Sequence, residues 1–307
     1  MQGRLILALL LAAVFSSSIA ATAPYRPPRT SSGQPDLQGL WSSSSLTRLE
    51  RPSVFHSLVV SEAETRSAPF LLPHDDVGSD VSEWFDEGLA LALINGERRS
   101  SWIVDPTDGR LPYSDAGRRN LKATEANMDG PERRPMNERC LSATAGPPMV
   151  NGLYNNNWQI VQTPDHVAIL MEYNHELRVI RLTDRAALPP QLHPWMGDSV
   201  GWWDGDTLVV QSTNFNPGQS RRSGGLASYY LSGQARVTER FARISPTQII
   251  YSYEVKDPVN YTQTWRGEMP LTSTKGPMFE YACHEGNYSL PGILAGARRE
   301  ERDSGSR

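Results

Sequence analysis

From Trp158 onward apolar and polar residues alternate in short runs separated by turn sequences, and this period of two predicts β-strands. Residues 158–163 and 166–173 flank Pro164-Asp165 and read as a hairpin, with 176–182 as the next strand. Residues 201–203 and 207–213 flank Asp204-Gly205-Asp206, where Asp-Gly supplies the positive φ angles of a tight turn. Residues 236–244 and 247–255 flank Ser245-Pro246, and 261–269 and 278–284 complete the set. Ile249, Tyr251, Tyr253 and Val255 alternate with Ile250, Ser252 and Glu254, so one face is buried and the other is mixed. Seven or eight such strands with short turns predict a mostly β protein: an antiparallel meander closed as a calycin- or lipocalin-like barrel, or folded as a sandwich.

The first half of the chain is patterned differently. Residues 37–41 open the folded part, whereas 45–150 read as an irregular, partly helical cover. Ser61-Glu62-Ala63-Glu64 fits a capping box and predicts a helix start. Val81, Trp84, Phe85, Leu89 and Leu93 repeat at helical spacing and predict a helix over 81–94. Asp105-Pro106-Thr107-Asp108-Gly109 is a turn by its chemistry. Residues 125–148 form a long polar loop of the kind that often carries function. A short helix is expected over 290–302 and disorder over 303–307.

The ends set the compartment. Arg4, an apolar run over 5–15 and Ser18-Ile19-Ala20 predict a cleavable signal peptide over 1–20, followed by a flexible tail over 21–36. No later run is long and apolar enough to cross a membrane, so a soluble periplasmic or secreted protein without membrane insertion is expected. Residues 37–302 are expected as a single β-rich domain, with the meander over 151–289; two units divided near residue 148 are the alternative. The net charge of −4 comes from scattered charges of both signs, so no nucleic-acid partner is expected. Two cysteines in an exported chain predict a Cys140–Cys283 disulfide. The competing reading is a Cys283 thiolate beside His284, but adjacent residues of an extended segment point to opposite faces.

The densest chemistry lies in Tyr281-Ala282-Cys283-His284-Glu285-Gly286-Asn287-Tyr288. His284 and Tyr288 are candidate general acid and base, and Glu285 and Asn287 candidate substrate contacts. His175 begins a strand beside Glu176 and Arg178; Arg178 suits bidentate capture of a substrate anion. Asp198 is a candidate orienter of a histidine. Trp203 and Asn156 are candidate binding residues, weighed against ordinary roles in a hairpin and a turn. His175, His284 and Glu285 are the best metal set available, but no metal-ligand spacing appears and no metal is expected. Neither a P-loop, a dinucleotide fingerprint nor a haem motif is present, so no cofactor is expected.

Residues 35–41, 103–112, 159–164, 195–199 and 203–210, together with Tyr281 to Tyr288, resemble an uncharacterised family of exported bacterial proteins. Gly39-x-Trp41 and the strand count are similar to lipocalin-like barrels, a group that holds both ligand carriers and enzymes. The expected function is an exported enzyme of the lyase, hydratase or isomerase type. It would use His/Tyr acid–base chemistry, without a redox cofactor, on a small or oligomeric organic substrate. The alternative is an envelope binding protein for an apolar or aromatic small ligand. Convergence of His175, Arg178, His284 and Tyr288 at one barrel mouth, with Asp198 nearby, is the geometry the enzyme requires.

Overall fold

A computed structural model describes residues 25–68, 90–126, 128–141, 146–183, 186, 188–189, 191–224 and 227–305. The proposed signal peptide and residues 81–89 of the proposed second helix lie outside the described residues. Nine strands close into a barrel. They are β1 (Gly39–Ser42), β2 (Asn157–Gln162), β3 (His166–Met171), β4 (Leu177–Arg181) and β5 (Asp198–Asp204). β6 (Thr207–Thr213), β7 (Arg236–Ser245), β8 (Gln248–Lys256) and β9 (Trp265–Ser273) follow, and β9 pairs back onto β1. Each antiparallel interface reverses strand direction, so a closed ring must contain an even number of them. Nine strands therefore require at least one parallel interface. It falls between β4 and β5, where the register names a single pair, Arg181 with Val200. The other interfaces are antiparallel.

The predicted alternation is what fills the lumen. On β8, Ile249, Tyr251, Tyr253 and Val255 are buried, and Ile250, Ser252 and Glu254 are half-buried. Trp41, Trp158 and Trp265 are also buried in the core, with Trp41 donating its indole N–H to Leu37 O and Trp158 to Ser43 Oγ. Tyr253 lies opposite Gly267 of β9, and a Cβ on Gly267 would stand 2.2 Å from Tyr253 Cζ. The missing side chain makes room for the phenol. Gly267→Ala is expected to cost about 1–3 kcal/mol by overpacking, read as a lowered urea midpoint. An unchanged midpoint would show that the ring moves aside freely.

A polar belt runs through this apolar lumen. Arg178 on β4 donates from Nε to Ser199 Oγ on β5 at 3.0 Å and from Nη2 to Ser212 Oγ on β6 at 2.9 Å. Its Nη1 reaches Glu239 Oε1 on β7 at 2.8 Å, and Nη2 also bonds Glu239 Oε2. The Tyr251 hydroxyl on β8 donates to Glu239 Oε1 at 2.8 Å. Five successive strands are thus joined by one buried network, which crosses the thinly paired β4–β5 interface.

The segment between β1 and β2 is inserted between two hydrogen-bonded neighbours. Cutting the chain near residue 148 would separate these neighbours. Strand 103–105 extends the barrel sheet beside β9, and Trp102 Nε1 donates to Asn151 Oδ1 at 2.8 Å. Helix α1 (Glu62–Ser67) starts at the expected capping box, with Ser61 Oγ and the Glu64 carboxylate each accepting from the other's backbone N–H. Helix α2 (Asp115–Ala126) has no counterpart in the sequence expectations; Ser114 Oγ caps it by accepting from Gly117 N–H. Residues 25–36, expected as part of a flexible tail, lie against the barrel: Gln34 Nε2 donates to Pro164 O at 2.9 Å, and Arg29 pairs with Asp206.

Two C-terminal expectations need correction. The last strand begins at Trp265, not Tyr261, because Asp257 accepts from the N–H groups of Val259 and Asn260 and holds a turn there. Residues 278–284 are not a strand. Gly276, at φ +77°, and Pro277 end the extended run, and helix α3 (Cys283–Gly286) is one turn long. Helix α4 (Ser289–Gly305) then runs past both predicted ends and includes residues expected to be disordered.

Candidate functional site

One end of the barrel carries a cleft of about 670 Å³. Two stretches build it. The long loop supplies Arg134, Asn137 and Glu138, and the C-terminal segment supplies Glu280 to Cys283, Gly286, Asn287, Ser289, Leu290 and Ile293. Tyr154, just before β2, and Tyr173, just after β3, complete the lining. The C-terminal segment is seated by buried Glu172, whose Oε1 accepts from Phe279 N–H at 2.7 Å and whose Oε2 accepts from Asn157 Nδ2 at 2.8 Å. The expected Cys140–Cys283 disulfide is present, with Cα atoms 5.7 Å apart, and ties α3 to the long loop.

Three tyrosines form the aromatic wall. Ring centroids lie 4.8 Å apart for Tyr173 and Tyr281, 5.6 Å for Tyr154 and Tyr173, and 6.3 Å for Tyr154 and Tyr281. The interplanar angles are 31°, 28° and 11°, so the rings are roughly parallel. Burial pushes the Tyr281 phenol up to about 12, helped by the neighbouring Tyr154. Burial also pushes Tyr173 well up, with Tyr154 and Tyr281 adding to the effect. Both phenols are therefore neutral hydrogen-bond donors at ordinary pH. Arg134 is paired with Glu138 at 2.5 Å and also donates to Met128 O.

These shifts have a sign that can be tested. A tyrosine near pKa 10 when unfolded and about 12 when folded contributes its stability fully below pH 10 and loses it between pH 10 and 12. The buried Tyr229, Tyr251, Tyr253 and Tyr261 are shifted upward too, chiefly by burial. Absorbance at the phenolate band should show these rings titrating only with unfolding above pH 10. Full reversible titration near pH 10 in a folded chain would contradict the burial.

The predicted site residues do not assemble as expected. His175 and His284 stand at the same barrel end, two and three residues from Tyr173 and Tyr281, but both are exposed and neither lines the cleft. Tyr288 is 83 % exposed and Glu285 is exposed, and neither lines the cleft. Arg178 is committed inside the barrel to Glu239 and cannot hold a substrate anion at the mouth. Asp198 accepts from Arg181 at 2.7 and 2.9 Å and from Leu188 N–H at 2.9 Å, so it orients an arginine and not a histidine. Asn156 is buried and brackets Gly152, accepting from its N–H at 2.7 Å and donating to its carbonyl at 3.1 Å. Trp203 belongs to the lumen, its indole N–H buried without a partner. Asn287 alone of the polar candidates lines the cleft; it donates to Glu138 O at 2.8 Å and caps α4 by accepting from Leu290 N–H. Tyr154, Tyr173 and Tyr281 are not among the expected site residues, although they lie close in sequence to Asn156, His175 and His284. Among the described residues no cluster of three or more His, Cys, Asp or Glu is placed to hold a metal ion, and no helix is long and apolar enough to cross a membrane.

Comparison with protein-family models, curated proteins and solved structures found no match to this chain.

Proposed function

We propose that the chain is an exported binding protein whose cleft takes a small planar aromatic ligand, neutral or cationic. The observation that carries this reading is the wall of three near-parallel tyrosines in a cleft of about 670 Å³, a size suited to a small molecule. Aromatic faces stack favourably on a planar ring, and neutral phenols supply directional hydrogen bonds. Leu290 and Ile293 give an apolar floor. The Arg134 charge is matched by Glu138, and Glu280 adds a second carboxylate to the lining, so an anionic ligand is disfavoured. Export is supported by the leader-like sequence of residues 1–20 and by the disulfide, a feature of oxidising compartments. The acid–base enzyme has no comparable support, because neither imidazole borders the cleft.

Calorimetric titration with 4-ethylphenol, tyramine and 4-hydroxyphenylpropionate tests the reading. The phenol and the amine should bind and the carboxylate should bind more weakly. Absence of binding by all three would refute the aromatic cleft, and preference for the carboxylate would refute the charge argument.

A further inference from the structure

We propose that the Cys140–Cys283 disulfide is the latch of this cleft, and that its reduction by a dithiol releases one wall and opens the site. The loss of ligand binding rests on the reading above; the release of the wall does not. Nine of the fourteen lining residues come from the segment after β9. No residue from Thr272 to Gly305 is buried, including all of α4, and Tyr281 packs against the barrel core, so beyond Tyr281 this wall gains little from apolar packing. Its upstream half is held by the barrel through Thr274 N–H to Leu40 O and Phe279 N–H to Glu172. Beyond Tyr281, the covalent link and the Asn287 hydrogen bond both end on Glu138–Cys140 of the opposing loop. The disulfide therefore joins one side of the cleft directly to the other.

The two sulfurs are not equivalent. Cys283 is half-buried and lines the cleft, whereas Cys140 is 8 % exposed and does not. A dithiol entering the cleft attacks Cys283 Sγ as a thiolate; the S–S bond breaks and Cys140 leaves as thiolate. The reagent's second thiol then attacks the mixed disulfide, freeing Cys283. The reagent ends as its own disulfide, having given two electrons, and two protons complete the two cysteine thiols. A ligand in the cleft covers Cys283 and slows this attack; because it binds the closed cleft and not the open one, it also shifts the equilibrium toward the disulfide.

Hydrogen-exchange mass spectrometry of the full chain, oxidised and after dithiothreitol, decides the matter, with C140S/C283S as a variant that needs no reagent. Amides of residues 280–294 are expected to exchange roughly tenfold faster or more once the bond is gone, while β7–β9 keep their protection. 4-Ethylphenol should bind the oxidised chain only and should slow its reduction. Unchanged exchange over 280–294 would overturn the latch, and so would loss of protection in the barrel strands at the same time, which would make the bond a support of the whole fold. If the oxidised chain binds no phenol, the binding reading fails, and the exchange result still decides the latch.

Discussion

Glu239→Ala should lower the stability of the barrel by about 3–5 kcal/mol, the largest loss expected from any single side chain here. Glu239 is fully buried, and its carboxylate meets both the Arg178 guanidinium and the Tyr251 hydroxyl. Truncation leaves a guanidinium in an apolar lumen with only Ser199 and Ser212 as side-chain partners. Desolvating an unpaired charge is costly, whereas an apolar replacement of the whole pair costs far less. R178M/E239M should therefore be much more stable than Glu239→Ala when both are unfolded in urea. The belt also spans the β4–β5 interface, where backbone pairing is thinnest. Hydrogen exchange in Glu239→Ala should rise first in β4 and β5. A double variant as damaged as the single one would show that the belt is needed for more than charge neutralisation.

Tyr281→Ala should weaken binding of 4-ethylphenol by about 2 kcal/mol, roughly thirtyfold, with little change in unfolding midpoint. Tyr281 packs on Tyr173 at 4.8 Å and on Tyr154 at 6.3 Å, yet it is only half-buried, so its removal strips the wall without opening the core. His284→Ala and Tyr288→Ala are the controls. Both residues are exposed beside the cleft and outside its lining, and their variants should bind as the parent does. If His284→Ala abolished binding while Tyr281→Ala did not, the site would centre on the imidazole.

Much of the barrel was legible because its strands bury one face, and burial on one face writes a period of two. The 207–213 strand came out with its exact ends because Asp204-Gly205-Asp206 fixes the turn before it. The disulfide followed from residue count and compartment. The failures share a cause. Residues 278–284 look strand-like by composition, but no neighbouring strand pairs with them, and Gly276-Pro277 breaks the path. Arg178 is expected to capture a substrate anion because a guanidinium suits bidentate binding, and Asp198 to orient a histidine because a carboxylate can accept its N–H. Their partners, Glu239 and Arg181, are 61 and 17 residues away, and the 61-residue pairing is fixed only by barrel closure. Tyr154 and Tyr173 flank the β2–β3 hairpin, but Tyr281 comes from the distant C-terminal segment, and only the fold stacks it on the other two.

The central claim is that the tyrosine cleft is where a ligand sits. A crystal structure of the oxidised chain soaked with 4-ethylphenol tests it most directly. The account predicts a ring against Tyr154 or Tyr281, over Leu290 and Ile293, with its hydroxyl in reach of a cleft phenol or Asn287. An empty cleft at saturating phenol, or a ring bound at His175 and His284 outside that wall, would contradict it.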